Sequence, residues 1–157
     1  MATQYTAGLT TGDVLTAATM NSIGAAWESY TPTFVNITVG NGVLVARYSR
    51  INKNVTVQMK FTLGSTSVIG AGGAISMSLP VTSATAQYAY AASFLGIASM
   101  VDVSPFTNYP GWVLAASSTT VAFGYMTSFR YQEMFGTGPF TWTTNDVFTC
   151  SFTYEAA

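Results

Sequence analysis

Between residues 55 and 63 the chain alternates without a break. Val55, Val57, Met59, Phe61 and Leu63 are apolar, and Thr56, Gln58, Lys60 and Thr62 between them are polar. Successive side chains of a β-strand point to opposite faces, so a period of two fits a strand with one face buried and one wet, and fits no helix. The pattern recurs at Ile75, Met77 and Leu79, stopped by Pro80, at Val121, Phe123 and Tyr125, and at Phe148, Cys150, Phe152 and Tyr154. Weaker strands are expected over 33–39, 43–50, 93–101 and 111–116. Turn residues separate them at Gly40-Asn41-Gly42, Asn52-Lys53-Asn54, Gly70 to Gly73, Asn108-Tyr109-Pro110-Gly111 and Gly136-Thr137-Gly138-Pro139. About eight short strands predict an all-β protein, an antiparallel β-sandwich of jelly-roll type, with a six-stranded open barrel as the alternative. Asn41-Gly42 and Asn52-Lys53 are placed to close two consecutive hairpins, which puts 33–39, 43–50 and 55–63 in one meander.

Residues 1–26 depart from this pattern, being small, polar and poor in aromatics. They hold the one expected helix, with Thr16 as N-cap and Ala17, Ala18, Met20, Ile23 and Ala26 following before Trp27. Its apolar stripe through Leu15, Ala18 and Ile23 is narrow. A helix of about ten residues is marginal by itself and needs a surface to dock on. The chain therefore divides into an attachment arm, 1–26, and a β-sandwich domain, 27–157.

Charge restricts the partners. Of 157 residues only 7% are charged, five Lys or Arg against six Asp or Glu, where a typical soluble domain carries roughly 25%. Ser and Thr hydroxyls supply much of the polar surface instead, and so neutral a surface favours association. The chain has no electrostatic footprint for nucleic acid. Arg47, Arg50, Lys53 and Lys60 cluster in the sequence; they read first as a solvated or interface strand and second as a patch for an anionic ligand. No run of 18 apolar residues occurs, so no membrane partner is expected, and Met-Ala-Thr-Gln-Tyr lacks the basic and apolar regions of a secretory signal.

The chain contains no His, which removes the commonest general base and metal ligand. Its single cysteine, Cys150, excludes an internal disulfide and shares an apolar strand face with Phe148 and Phe152, where a thiol is inert. The carboxylates are scattered, and a glycosidase pair such as Glu133 with Asp146 would have to form in space. Gly70-Ala71-Gly72-Gly73 is followed by no Lys and reads as a loop. No catalytic residue, metal or cofactor is expected, and an enzyme, such as a glycan hydrolase, is the weakest of the function classes.

Four pieces in order carry a resemblance. They are Gly12-Asp13-Val14-Leu15-Thr16-Ala17-Ala18-Thr19-Met20-Asn21, Trp27-Glu28-Ser29-Tyr30-Thr31-Pro32-Thr33, Gly40-Asn41-Gly42, and Ala46-Arg47-Tyr48-Ser49-Arg50-Ile51-Asn52-Lys53-Asn54-Val55. Over residues 8–63 the chain resembles small virion structural proteins of tailed bacteriophages, of the capsid-decoration, minor-tail or fibre kind. The resemblance implies a homotrimer within the virion, with other virion proteins as partners. It makes Leu15, Met20, Ile23, Trp27 and Tyr30 the candidates for virion docking. Trp27 and Tyr30 stand where packing on the first strand locks the arm's exit angle, and Arg47 and Arg50 flank Tyr48, where a guanidinium can stack on a ring or pair with a neighbour's acid.

The resemblance does not extend to the second half. The aromatics there concentrate in 103–112 and 131–142, too many for loops that face solvent alone. Phe106, Tyr109, Trp112, Phe135, Phe140 and Trp142, with Arg47 and Arg50, are therefore the candidates for an oligomer or contact surface. A trimeric decoration protein on the capsid exterior is the leading expectation, because no coiled-coil, collagen or long β-helical repeat supplies a fibre shaft. A tail or fibre module that binds a host receptor or glycan is the alternative.

Overall fold

The computed structural model describes residues 26–70, 73–84, 93–127 and 130–157. Twelve strands lie among them: β1 (Glu28–Ser29), β2 (Phe34–Val35), β3 (Ile37–Thr38), β4 (Val43–Ile51), β5 (Asn54–Thr62), β6 (Val68–Ile69), β7 (Ser76–Ser78), β8 (Phe94–Asp102), β9 (Thr107–Ala115), β10 (Thr120–Thr127), β11 (Arg130–Glu133) and β12 (Val147–Glu155). No helix occurs among the described residues; the helix expected from Thr16, with Leu15, Met20 and Ile23, lies outside them. Ten strands form one antiparallel sheet in the order β1-β4-β5-β12-β8-β9-β10-β7-β2, with β11 beside β10, and β3 pairs with β6 separately. The all-β, antiparallel expectation holds.

The alternation in the sequence decides which face is inside. Val55, Val57, Met59 and Phe61 of β5 and Phe148, Cys150, Phe152 and Tyr154 of β12 are all buried, and the register sets them side by side: Phe61 opposite Phe148, Met59 opposite Cys150. The sheet then curls over this interior as a half-barrel. Phe34 of β2 stacks on Phe61 of β5 with ring centroids 6.4 Å apart, although five strands separate β5 from β2 in the sheet order. Phe123 of β10 meets Phe148 of β12 edge-on at 4.8 Å. The Tyr154 hydroxyl donates to the Val81 carbonyl at 2.7 Å and accepts from the Val81 N–H at 3.3 Å, tying the last strand to the segment after β7.

Two expectations about connections are corrected. The stretch 33–39 is not one strand of a meander with 43–50 and 55–63. Asn36 takes φ of 62° and breaks it, so Phe34–Val35 pairs with β7 and Ile37–Thr38 with β6. The Gly40 turn is present, with the Gly42 N–H donating to the Val39 carbonyl at 3.0 Å, but it leads from β3 to β4 without pairing them. Gly40 has φ of 58° and a side chain there would run into the Thr66 backbone, so the position calls for glycine.

The second correction concerns Asn108-Tyr109-Pro110-Gly111, expected as a turn and found inside β9. Pro110 is tolerated because the ladder between β9 and β10 ends at Gly111, so no neighbour asks for the missing N–H. The reversal comes earlier, at 103–106, where Phe106 has φ of 55°. Asp146, fully buried, anchors that turn. One carboxylate oxygen accepts from the Val103 N–H at 3.0 Å, and the other accepts from the Thr143 N–H at 2.6 Å and its hydroxyl at 3.1 Å.

Removing that carboxylate leaves three part-buried donors without their acceptor. Asp146→Ala is expected to lower the unfolding free energy by about 3 kcal/mol in urea titration, and Asp146→Asn, which keeps one acceptor, by less; equal losses would contradict the hydrogen-bond account. The interior also carries an alkaline limit. Burial raises the Tyr30 and Tyr154 phenols and the Cys150 thiol above their ordinary ranges. The folded state therefore holds these protons longer than the unfolded state, and the stability they contribute is complete below about pH 8.5 and lost progressively as pH rises through the folded pKa values. The urea midpoint should be flat below that point and fall steadily above it, less steeply in Tyr30→Phe.

Candidate functional site

The positions that alternate with the core face outward, and the register collects them into rows. Arg47 of β4, Gln58 of β5, Ser151 of β12 and Ile97 of β8 are successive partners across the sheet. Val45, Lys60, Thr149 and Ser99 form the next row along the same strands. The two rows line an open trough of about 380 Å³. Its shape follows from side-chain size: Thr149 and Ser151 of β12, with Ser99 of β8, form a low floor between the longer side chains Gln58 and Lys60 of β5 on one side and Ile97 of β8 on the other. Among the described residues no carboxylate lines it.

One wall is held in place. The Arg47 guanidinium carbon lies 4.5 Å from the centroid of the Trp27 ring, and Nε and Nη2 donate to Gln58 Oε1 at 3.1 and 2.8 Å. Strand β1 makes this possible by pairing Ser29 with Arg47 and Glu28 with Tyr48. The Tyr48 hydroxyl donates to Glu28 at 2.7 Å, and burial, followed by that bond, raises its phenol. Tyr30 meets Tyr48 edge-on at 5.9 Å and its hydroxyl donates to the Met77 sulfur at 4.0 Å. Both docking candidates among the described residues thus pack on their own sheet, Trp27 on its outer face and Tyr30 on its inner face.

The four clustered basic residues separate in space. Arg47 and Lys60 share the trough. Arg50 Nε donates to the Asn52 carbonyl at 2.7 Å, which braces the turn between β4 and β5, and Lys53 pairs with Glu155 at 3.9 Å across exposed surface.

The aromatic candidates also divide. Phe106, 86% exposed, tips the hairpin between β8 and β9. Trp112 lies on the outer face, edge-on to the exposed Phe94 at 5.9 Å. Phe135 is half-buried and bridges to Gly138. Tyr109 stacks on Phe140 at 5.2 Å, and Phe140 meets Trp142 at 4.5 Å. Trp142 reaches Phe148 in the core at 6.4 Å. Phe140 is buried, and with Tyr109 and Trp142 it closes one end of the interior. That part of the aromatic surplus belongs to the core of the chain, correcting the surface expectation for Phe140.

Sequence reasoning missed Gln58, Ile97, Ser99, Thr149 and Ser151 as site residues. Each was legible as an outward strand position, but only the strand order brings them together. Glu133 is exposed on β11, whereas both oxygens of Asp146 are occupied by donors of its own chain.

Comparison with family models, with curated proteins and with solved structures found no match to this chain.

The stacked arginine makes a measurable pair. A double-mutant cycle on Trp27→Ala and Arg47→Ala should return a coupling of about 0.5–1 kcal/mol in unfolding free energy, the range for an exposed cation–π contact. Additive losses would mean that the ring and the guanidinium are neighbours without interaction.

Proposed function

We propose that this chain is a structural protein of a tailed-bacteriophage virion, a trimeric decoration protein on the capsid exterior that docks through residues 1–26. The observation that carries the reading is a surface almost without charge that leaves large apolar side chains open. Val43, Val68, Phe94 and Phe106 each expose more than half of their surface in a chain only 7% charged. Depletion of charge with exposed aromatics is the mark of an interface core, and a closed cyclic assembly covers such surface without leaving a further sticky edge. The ordered motifs over 8–63 supply the virion context.

In this reading the curled sheet is a jelly-roll-like sandwich, with β4, β5 and β12 on one side and β9, β10 and β7 on the other. The contacts of Phe34 with Phe61 and of Phe123 with Phe148 across the interior support it. Assembly is non-covalent and driven by apolar burial, at about 25 cal/mol per Å² of apolar surface covered, so it is insensitive to salt. This reading assigns the chain no catalytic step, and it is in keeping with this that the buried carboxylate Asp146 holds the chain's own backbone.

The second reading, a tail or fibre module that touches a host surface, draws on Phe106. Phe106 is 86% exposed on a turn whose start is fixed by Asp146 at the Val103 N–H and by Asp102 at the Ser104 N–H, 3.1 Å away.

Deleting residues 1–26 is expected to leave a folded trimer, by circular dichroism and sedimentation, that no longer joins particles in an assembly assay. Incorporation of the truncated chain at the level of the full chain would overturn the docking role of the arm.

A further inference from the structure

We infer that the trough across β4, β5, β12 and β8 binds an anionic saccharide, with Arg47 and Lys60 receiving the acid group and Ser99, Thr149 and Ser151 meeting the sugar hydroxyls. This site stands whether the chain sits on a head or on a tail.

Charge comes first. Arg47 and Lys60 are diagonal neighbours, since Arg47 faces Gln58 and Val45 faces Lys60 in the register, and among the described residues no carboxylate lines the trough to neutralise them. Two like charges at this spacing favour an anion between them. The Arg47 side chain is already oriented by Trp27 and Gln58. That orientation engages Nε and Nη2 and leaves further N–H donors of the guanidinium for a ligand, at little extra cost in side-chain entropy.

The floor argues for a sugar over a peptide. Ser99, Thr149 and Ser151 present hydroxyls, each both donor and acceptor, to a ligand that brings hydroxyls of its own. A peptide held by strand addition needs a free sheet edge. Here β5, β12 and β8 are each paired on both sides, so the backbone beneath the trough is committed to the ladder, and the outer side of β4, which β1 pairs at Arg47 and Tyr48, faces away from the floor. Ile97, 68% exposed, and Val45 offer apolar flanks for the C–H face of a sugar ring.

The dimensions fit a short oligosaccharide. The trough crosses the three inter-strand gaps from β4 to β8, about 14 Å at the usual strand spacing. The volume of about 380 Å³ falls within the ordinary range of small-ligand sites, about 300–1,000 Å³.

The test is a calorimetric titration of the full chain with trigalacturonate, with maltotriose as the neutral sugar and triglutamate as the acidic peptide. Trigalacturonate should bind, more weakly as salt is raised, with maltotriose and triglutamate each weaker by about tenfold or more. Lys60→Gln, a change at an exposed polar position, should weaken trigalacturonate by about tenfold, the loss of one charge-assisted hydrogen bond. Ser151→Leu should block the floor while leaving the urea midpoint near that of the parent chain. The inference fails if trigalacturonate does not bind, if triglutamate binds as well, or if both folded variants keep the parent affinity.

Discussion

A sheet whose side chains alternate between apolar and polar can dry its apolar face only by covering it, and among the described residues there is no helix to lie over it. The sheet is its own cover. Phe34, on the last strand of the sheet order, reaches Phe61, on the third, and that contact closes the curl. Everything inward depends on the closure: Val55, Val57, Phe123 and Phe148 are fully buried because the two ends of one sheet face each other across them. The connections are subordinate to it. Asn36 turns the chain so that Phe34 can join β7, and Asp146 fixes the return from β8 to β9 that brings Val113 and Tyr109 inward.

The same closure creates the outer surface. With Phe and Tyr of β12 drawn inside, its small residues Thr149 and Ser151 face out, and the sheet is thin there between the longer side chains of β4, β5 and β8. The trough is thus a consequence of how one central strand divides its residues between two faces. The near absence of charge has a related origin. The outward positions are filled by Ser, Thr, Gln and Val, and Arg47 and Lys60 are the only formal charges in the two rows that form the trough.

Much of this was legible in the sequence, and the limits have physical causes. The alternation at 55–63 and at 148–154 is long and strict, so the strands and the faces they bury could be read directly; β4, β8 and β10 also fall within a few residues of expectation. Strand order could not be read, because pairing of Lys60 with Thr149 joins positions far apart in the chain, and nothing local signals it. Pro110 misled because proline usually ends a strand, and its acceptance depends on where the neighbouring ladder stops. Asn36 was hidden because a left-handed asparagine looks like any other polar residue. The cluster of basic residues was visible as a run but not as what it is, two residues in a trough, one bracing a turn and one in a surface ion pair.

The functional account rests on a charge-poor surface that leaves large apolar side chains exposed. Electron cryomicroscopy of phage particles carrying a tagged copy of this chain tests that account most directly. It predicts three-fold density on the outer surface of the head, present with the tag and absent when the gene product is removed. Tag density confined to the tail, or particles of normal composition with no tag density, would contradict it.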